Sequence, residues 1–293
     1  AGQSGGGVYW ESGIAILQSV VFDRDTSQSG YGGALYLSSL NASLDSVTMT
    51  SNRAYNSGGG LYAAGCNIYA ANLVIMHNKS ITGNGGGIYQ EYAFSPGGRG
   101  MPAIGSLPAG FDSDLPTVYS HTTLDSNSAG TSGGGAYFYE LQLGVFNSTI
   151  AHNSIGASGG GLYATYSQLI LDSTSITSNR AVGGGGGIYL EFSDLFATTA
   201  TISLNQSGES GGGIYLKYPY SGSAPPLPSS EALPTPFDNK NPGFTTSVID
   251  RNFANYSGGG LYIEEMQLGL FNSTVSENTV GNGGTGDGGG LYA

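Results

Sequence analysis

Asp23, Arg24 and Asp25 set two carboxylates and a guanidinium side by side, and Asp250-Arg251 repeats part of that arrangement. Two acids with a base beside them are the raw material of acid–base cleavage, above all of glycosidic bonds. Most of the other notable carboxylates come in pairs 125 to 127 residues apart: Asp45 with Asp172, Asp112 with Asp238, Asp125 with Asp250, Glu140 with Glu265. One catalytic centre needs a unique constellation, so carboxylates that recur with the chain read as scaffold, and no residue is assigned as catalytic. His77, His121 and His152 are dispersed and none has a companion at metal-ligand spacing. Gly283-Gly284-Thr285-Gly286-Asp287 approaches a calcium-binding nonapeptide but stands alone. No Gly-Lys-Ser/Thr phosphate loop follows any glycine run. Neither a metal nor a cofactor is expected.

Six Asn-x-Ser/Thr sequons occur, at Asn41, Asn78, Asn147, Asn205, Asn255 and Asn272. Asn78 and Asn205 fall in a recurring column described below and are expected to be unmodified. That leaves Asn41, Asn147, Asn255 and Asn272 as candidate N-glycosylation sites, the pair Asn147 and Asn272 occupying equivalent positions.

The chain that must position these residues has 293 of them, with 52 Gly, 20 Tyr, 20 acidic and 8 basic side chains, and a net charge of −12. Glycine is far above its ordinary share of roughly 7% and charge far below roughly 25%. Hydrophobic residues at 39% and aromatics at 11% exclude a disordered chain. Collagen is excluded because Gly does not recur at every third position. So few scattered basic residues leave nothing to neutralise a phosphate backbone, so nucleic acid is not an expected partner. No apolar stretch is long enough to span a bilayer as a helix, and membrane insertion is not expected. The single Cys66 has no internal disulfide partner.

The excess glycine and tyrosine belong to one repeated phrase. Glycines, an aliphatic or Ala residue and then Tyr occur ten times, at Tyr9, Tyr36, Tyr62, Tyr89, Tyr137, Tyr163, Tyr189, Tyr215, Tyr262 and Tyr292. Most intervals are 26 or 27 residues, and two are 48 and 47. A second column, beginning with Asp25, runs through Asn52, Asn78, Asn127, Asn153, Asn179, Asn205, Asn252 and Asn278. The two long intervals mark insertions at residues 90–117 and 217–244, which hold all 11 prolines. Proline cannot donate to a strand ladder, so its absence elsewhere marks the other segments as hydrogen-bonded on both edges. Four units and one insertion form a longer repeat, in which Glu140 to Thr149 is echoed by Glu265 to Thr274.

Within each unit apolar residues alternate with period two, the strand signature. Leu61 and Leu162 before Tyr, and Leu37 and Leu190 after it, turn inward and the Tyr outward. A second strand turns Met49, Ile75, Ile150 and Ile176 inward. Two or three short strands per 26 residues with polar turns describe one coil of an all-β, single-stranded parallel β-helix (β-solenoid) of about ten coils, a rod of roughly 50 Å at about 4.8 Å per coil. Residues 1–293 form one continuous solenoid on this reading, part of a longer array or stacked end to end. The Asn column is expected to form an inner structural ladder.

Gly-Gly-Gly-Leu-Tyr and Gly-Gly-Ala-Leu-Tyr, paired with Ile-Thr-Ser-Asn and Phe-Asp-Arg-Asp, resemble the Gly-Gly-Ala-Ile and Phe-x-x-Asn repeats of the polymorphic outer-membrane protein family. The resemblance implies a right-handed β-helix in a surface adhesin; Tyr after the aliphatic and the third Gly depart from the pattern. The sequence reading is therefore an extracellular or cell-surface β-helical rod, a filament, stalk or adhesin and not an enzyme. Its expected partners are other copies of itself or glycans; the Tyr column reads first as aromatic stacking between coils that stabilises the rod, and second as a docking stripe for glycans, a neighbouring rod or the Pro-rich loops. A carbohydrate-active enzyme is the alternative, because pectate lyases and polygalacturonases share the fold. An ice-binding solenoid, suggested by Thr48-Met49-Thr50 and Thr201-Ile202-Ser203, is a minor one.

Overall fold

The computed structural model describes residues 4–92, 117–218, 242–281 and 287–293. Each described strand pairing is parallel and joins one coil to the next, as Tyr62 opposite Tyr89 and Ile75 opposite Leu124 illustrate. The chain is a parallel β-solenoid with nine turns and the first strand of a tenth, Leu291–Tyr292.

One coil contains four extended stretches, more than the two or three expected. In the third coil they are Leu61–Ala64, Asn67–Ala71, Val74–Met76 and Lys79–Ser80. The third and fourth stretches of successive coils build two nine-stranded sheets. The first and second build one seventeen-stranded sheet, because in the first two coils they run together as Val8–Gln18 and Leu35–Asp45. Alternation decides which side chains enter the core: Leu35 and Leu37 are wholly buried on either side of Tyr36, and Met49, Ile75, Ile176 and Ile202 fill the centre from the third stretch.

Four corners separate the stretches, and each places one residue per coil in the left-handed region of backbone space, with Ser12 and Gly13 both at positive φ in the first coil. At the fourth corner that residue is the first glycine of the run, such as Gly159, for which positive φ has no steric cost. The second glycine answers a different constraint: a Cβ on Gly160 would collide with the Gly186 carbonyl and the Arg180 backbone of the next coil. Apart from Gly13 and Gly65 at the first, the other three corners use ordinary residues, for example Ser12, Ser39 and Tyr166 at the first, Asn147 and Ser173 at the second, and Ser51 and His152 at the third. A left-handed non-glycine residue is uncommon. Stacking on both sides holds these residues in place: Asn147 donates its N–H to Asp172 and Tyr166 to Glu191.

At both insertions the described residues stop at the first corner, after Tyr92 and after Tyr218, and resume at Thr117 and Pro242 in the following stretch. Their edges are tighter than the sequence suggests. Gln90 and Glu91 end the strand Ile88–Glu91, Thr117 begins Thr117–Ser120, and Lys217, Gly243 and Phe244 are also strand residues. Ten of the eleven prolines lie outside the described residues. The first insertion is bracketed by a buried polar knot, in which Gln90 Nε2 donates to Thr117 Oγ1 (2.9 Å) and the Tyr119 hydroxyl donates to Gln90 Oε1 (2.7 Å). Each buried polar atom there has its partner, which is the condition for polar groups in a core.

Candidate functional site

The column of Asn side chains runs inside the third corner. Asn153 is representative: its amide nitrogen donates to Asn179 Oδ1 (3.0 Å) and to the Leu124 carbonyl (2.9 Å), and its Oδ1 accepts from the backbone N–H (2.9 Å) and amide (3.1 Å) of Asn127. That uses both donors and both lone pairs of the amide. The same pattern links Asn52, Asn78, Asn127, Asn153, Asn179, Asn205, Asn252 and Asn278. Asp25 stands at its head, with its N–H donating to Asn52 Oδ1 (2.8 Å), and burial raises its carboxyl above the usual range. This position turns Asp25 inward, whereas Arg24 sits at the exposed corner 3.7 Å from Asp23. The three residues do not converge on a cleft.

The ten tyrosines of the repeat lie on the outer side of the first stretch and stack ring on ring. Their centroids are 4.6 Å apart at Tyr9–Tyr36, 5.0 Å at Tyr62–Tyr89 and 4.9 Å at Tyr163–Tyr189, with planes within 7° of parallel at each of these steps. The column continues through Tyr137, Tyr215, Tyr262 and Tyr292. Stacking hides the ring faces between coils, so along the column only edges and hydroxyls reach the surface, and a sugar ring has no free aromatic face to lie on. Several hydroxyls are committed as well. Tyr62 and Tyr89 both donate to Glu91 (2.8 Å each), Tyr163 to Glu191 (3.1 Å) and Tyr215 to Glu264 (2.9 Å). Burial, reinforced by these carboxylates, pushes the phenols of Tyr137 and Tyr189 up to about 12. The tyrosine ladder thus orients a row of glutamates two residues further along the strand.

Beyond that row, at the first corner, lies an aromatic column that the repeat pattern does not reveal. Tyr166, Phe192 and Tyr218 stack at 5.1 and 5.0 Å, and Tyr139 meets Tyr92 and Tyr166 edge to face at 5.3 and 5.9 Å. Tyr92, Tyr166, Phe192 and Tyr218 all have positive φ, near 50°. Other coils place Ser12, Ser39, Gly65, Glu140 or Glu265 at this corner, so residue type varies down the column and conceals it in the sequence. The lone signal available was the recurrence of an aromatic three residues after Tyr89, Tyr163, Tyr189 and Tyr215.

The remaining candidates are spread around the rod. Asn41 is 3% exposed and its Oδ1 accepts from Asn67, which leaves no room for a glycan; burial inside the second stretch corrects its assignment as a candidate acceptor. Asn147 and Asn272 stand exposed at the second corner and Asn255 is exposed beyond the fourth stretch. His152 Nδ1 lies 2.9 Å from Asp125 Oδ1, His77 shares its corner two coils away, and His121 occupies a different corner. Among the described residues no three His, Cys, Asp or Glu side chains are grouped to hold a metal ion. No described helix is long and apolar enough to cross a membrane. Asp112, Asp238 and Gly283 to Gly286 fall outside the described residues.

No curated protein and no solved structure matches the chain at a significant level. Residues 173–191, which run from the second corner of one coil through Asn179 and the glycine turn to Glu191, match the profile of the Chlamydia polymorphic membrane protein repeat. The chain is a parallel β-solenoid, and the one segment that the family profile matches is similar to a repeat of the polymorphic membrane proteins.

Proposed function

We propose that the chain is a surface-displayed β-helical rod that serves as a stalk and attachment module. The observation that carries this reading is the outer side of the first stretch, where the tyrosine column runs through all nine turns and into the first strand of the tenth without a break. A surface that repeats at about 4.8 Å along a rod is suited to many weak simultaneous contacts. The repeat's similarity to a family of membrane proteins supports a cell-surface location. The alternative of a carbohydrate-cleaving enzyme has less support, because the acidic and basic residues that would form its centre are dispersed over three corners and several coils. Antibodies raised against the chain are expected to label intact, unpermeabilised source cells. Labelling that requires permeabilisation contradicts the proposal.

A further inference from the structure

The corner aromatic column has two ends, and they differ in one respect. At the far end, Lys217 Nζ lies over the ring of Tyr218, 5.0 Å from its centroid, and 4.0 Å from Glu264 Oε1. The other oxygen of Glu264 accepts from the Tyr215 hydroxyl, so that carboxylate is held in place. The chain here builds a complete receptor for an ammonium group from an aromatic face and an oriented carboxylate, and fills it with its own lysine.

The near end is the equivalent place one long repeat earlier. Tyr92 stands where Tyr218 stands, at the first corner beside an insertion, with positive φ and 45% exposure. Glu91 stands where Lys217 stands, in the same register column. Its two carboxylate oxygens accept one hydroxyl each, from Tyr62 and Tyr89, which fixes the group and leaves lone pairs free. In the preceding coil the corner residue is Gly65, and the residue opposite Glu91 is Ala64. No side chain from that coil's corner covers the ring, and Ala64 brings no charge to the carboxylate. A bulky aromatic in left-handed backbone is an outlier of the kind that marks functional positions, since Ser or Gly would fit at less cost.

We propose that Glu91 and Tyr92 receive the ammonium group of a lysine side chain presented by a partner protein, the ring supplying its face and the carboxylate its charge. Charge complementarity favours such a partner, because the chain carries −12 and only 8 basic residues. The inference rests on the attachment reading and gives its partner a chemistry. One such contact is weak, on the order of 1 kcal/mol at an exposed site, so it serves as one anchor in a larger interface.

The test uses the full chain and tetralysine as the probe, titrated calorimetrically at low ionic strength. Glu91→Gln and Tyr92→Ser are each expected to weaken binding about three- to ten-fold, in line with the roughly 1 kcal/mol of such a contact. Ser occupies the same corner in two other coils, so Tyr92→Ser keeps the fold, as an unchanged circular dichroism spectrum verifies. Glu209→Gln, an exposed change of equal charge elsewhere, is expected to leave binding unaltered. Equal losses in Glu91→Gln and Glu209→Gln with none in Tyr92→Ser, which leaves the charge unchanged, overturn the proposal as attraction to net charge alone, and unaltered binding in both Glu91→Gln and Tyr92→Ser overturns it outright. Tighter binding of a glucosamine tetramer than of tetralysine overturns the choice of a protein partner. Each of these results leaves the surface-labelling test untouched, so the two readings fail separately.

Discussion

Asn153 shows how much one side chain contributes to a stacked coil. Its amide closes four hydrogen bonds to three neighbours in two adjoining coils, all of them buried. Replacing it with Ala removes the acceptor of the Asn127 backbone N–H and of one Asn127 side-chain N–H and the amide donor to the Leu124 carbonyl, while Asn179 Oδ1 keeps the backbone N–H of residue 153; unsatisfied buried groups cost about 1–3 kcal/mol each before relaxation. Asn153→Ala is therefore expected to lower the unfolding free energy by about 3 kcal/mol, measured by urea denaturation. This column was legible in the sequence because the same residue type recurs at a fixed spacing. Gln90, Thr117 and Tyr119 were not legible, because a polar knot made once leaves no periodic trace and its members flank an insertion in the sequence.

At the scale of the strand and its corner, the tyrosine ladder makes a statement about alkaline pH. Burial and neighbouring carboxylates raise the Tyr137 and Tyr189 phenols to about 12, against about 10 in an unfolded chain. The folded chain then retains protons that the unfolded chain releases, so the contribution is whole below pH 10 and is lost as pH rises through 12. A spectrophotometric titration at the phenolate band is expected to show the ladder tyrosines ionising well above the free phenol, with unfolding at the same pH. Ordinary titration near 10 with the fold intact contradicts the stacked, buried ladder. The first stretch and its inward aliphatics follow from period-two alternation, as does the outward side of the tyrosines. The corners were less legible: their requirement is a backbone angle, which Ser, Asn, His, Glu and Tyr all satisfy in different coils. That tolerance hid the aromatic column beside the glutamates.

Across the whole molecule, the repeat count predicted the number of turns closely, because a parallel solenoid adds one coil for each copy of its phrase. The sheet arrangement was not legible to the same degree. Whether two stretches join into one sheet depends on the first two coils, where no break interrupts Val8–Gln18 or Leu35–Asp45. Function at this scale belongs to columns, since every outward group is one member of a row. The reading of the rod as an attachment module is tested most directly by adding monovalent antibody fragments against the tyrosine-bearing side to source cells and counting the cells that remain attached to their natural surface. The account predicts that attachment falls with fragment concentration and is restored by excess soluble chain. Undiminished attachment at saturating fragment on cells that display the chain would contradict it.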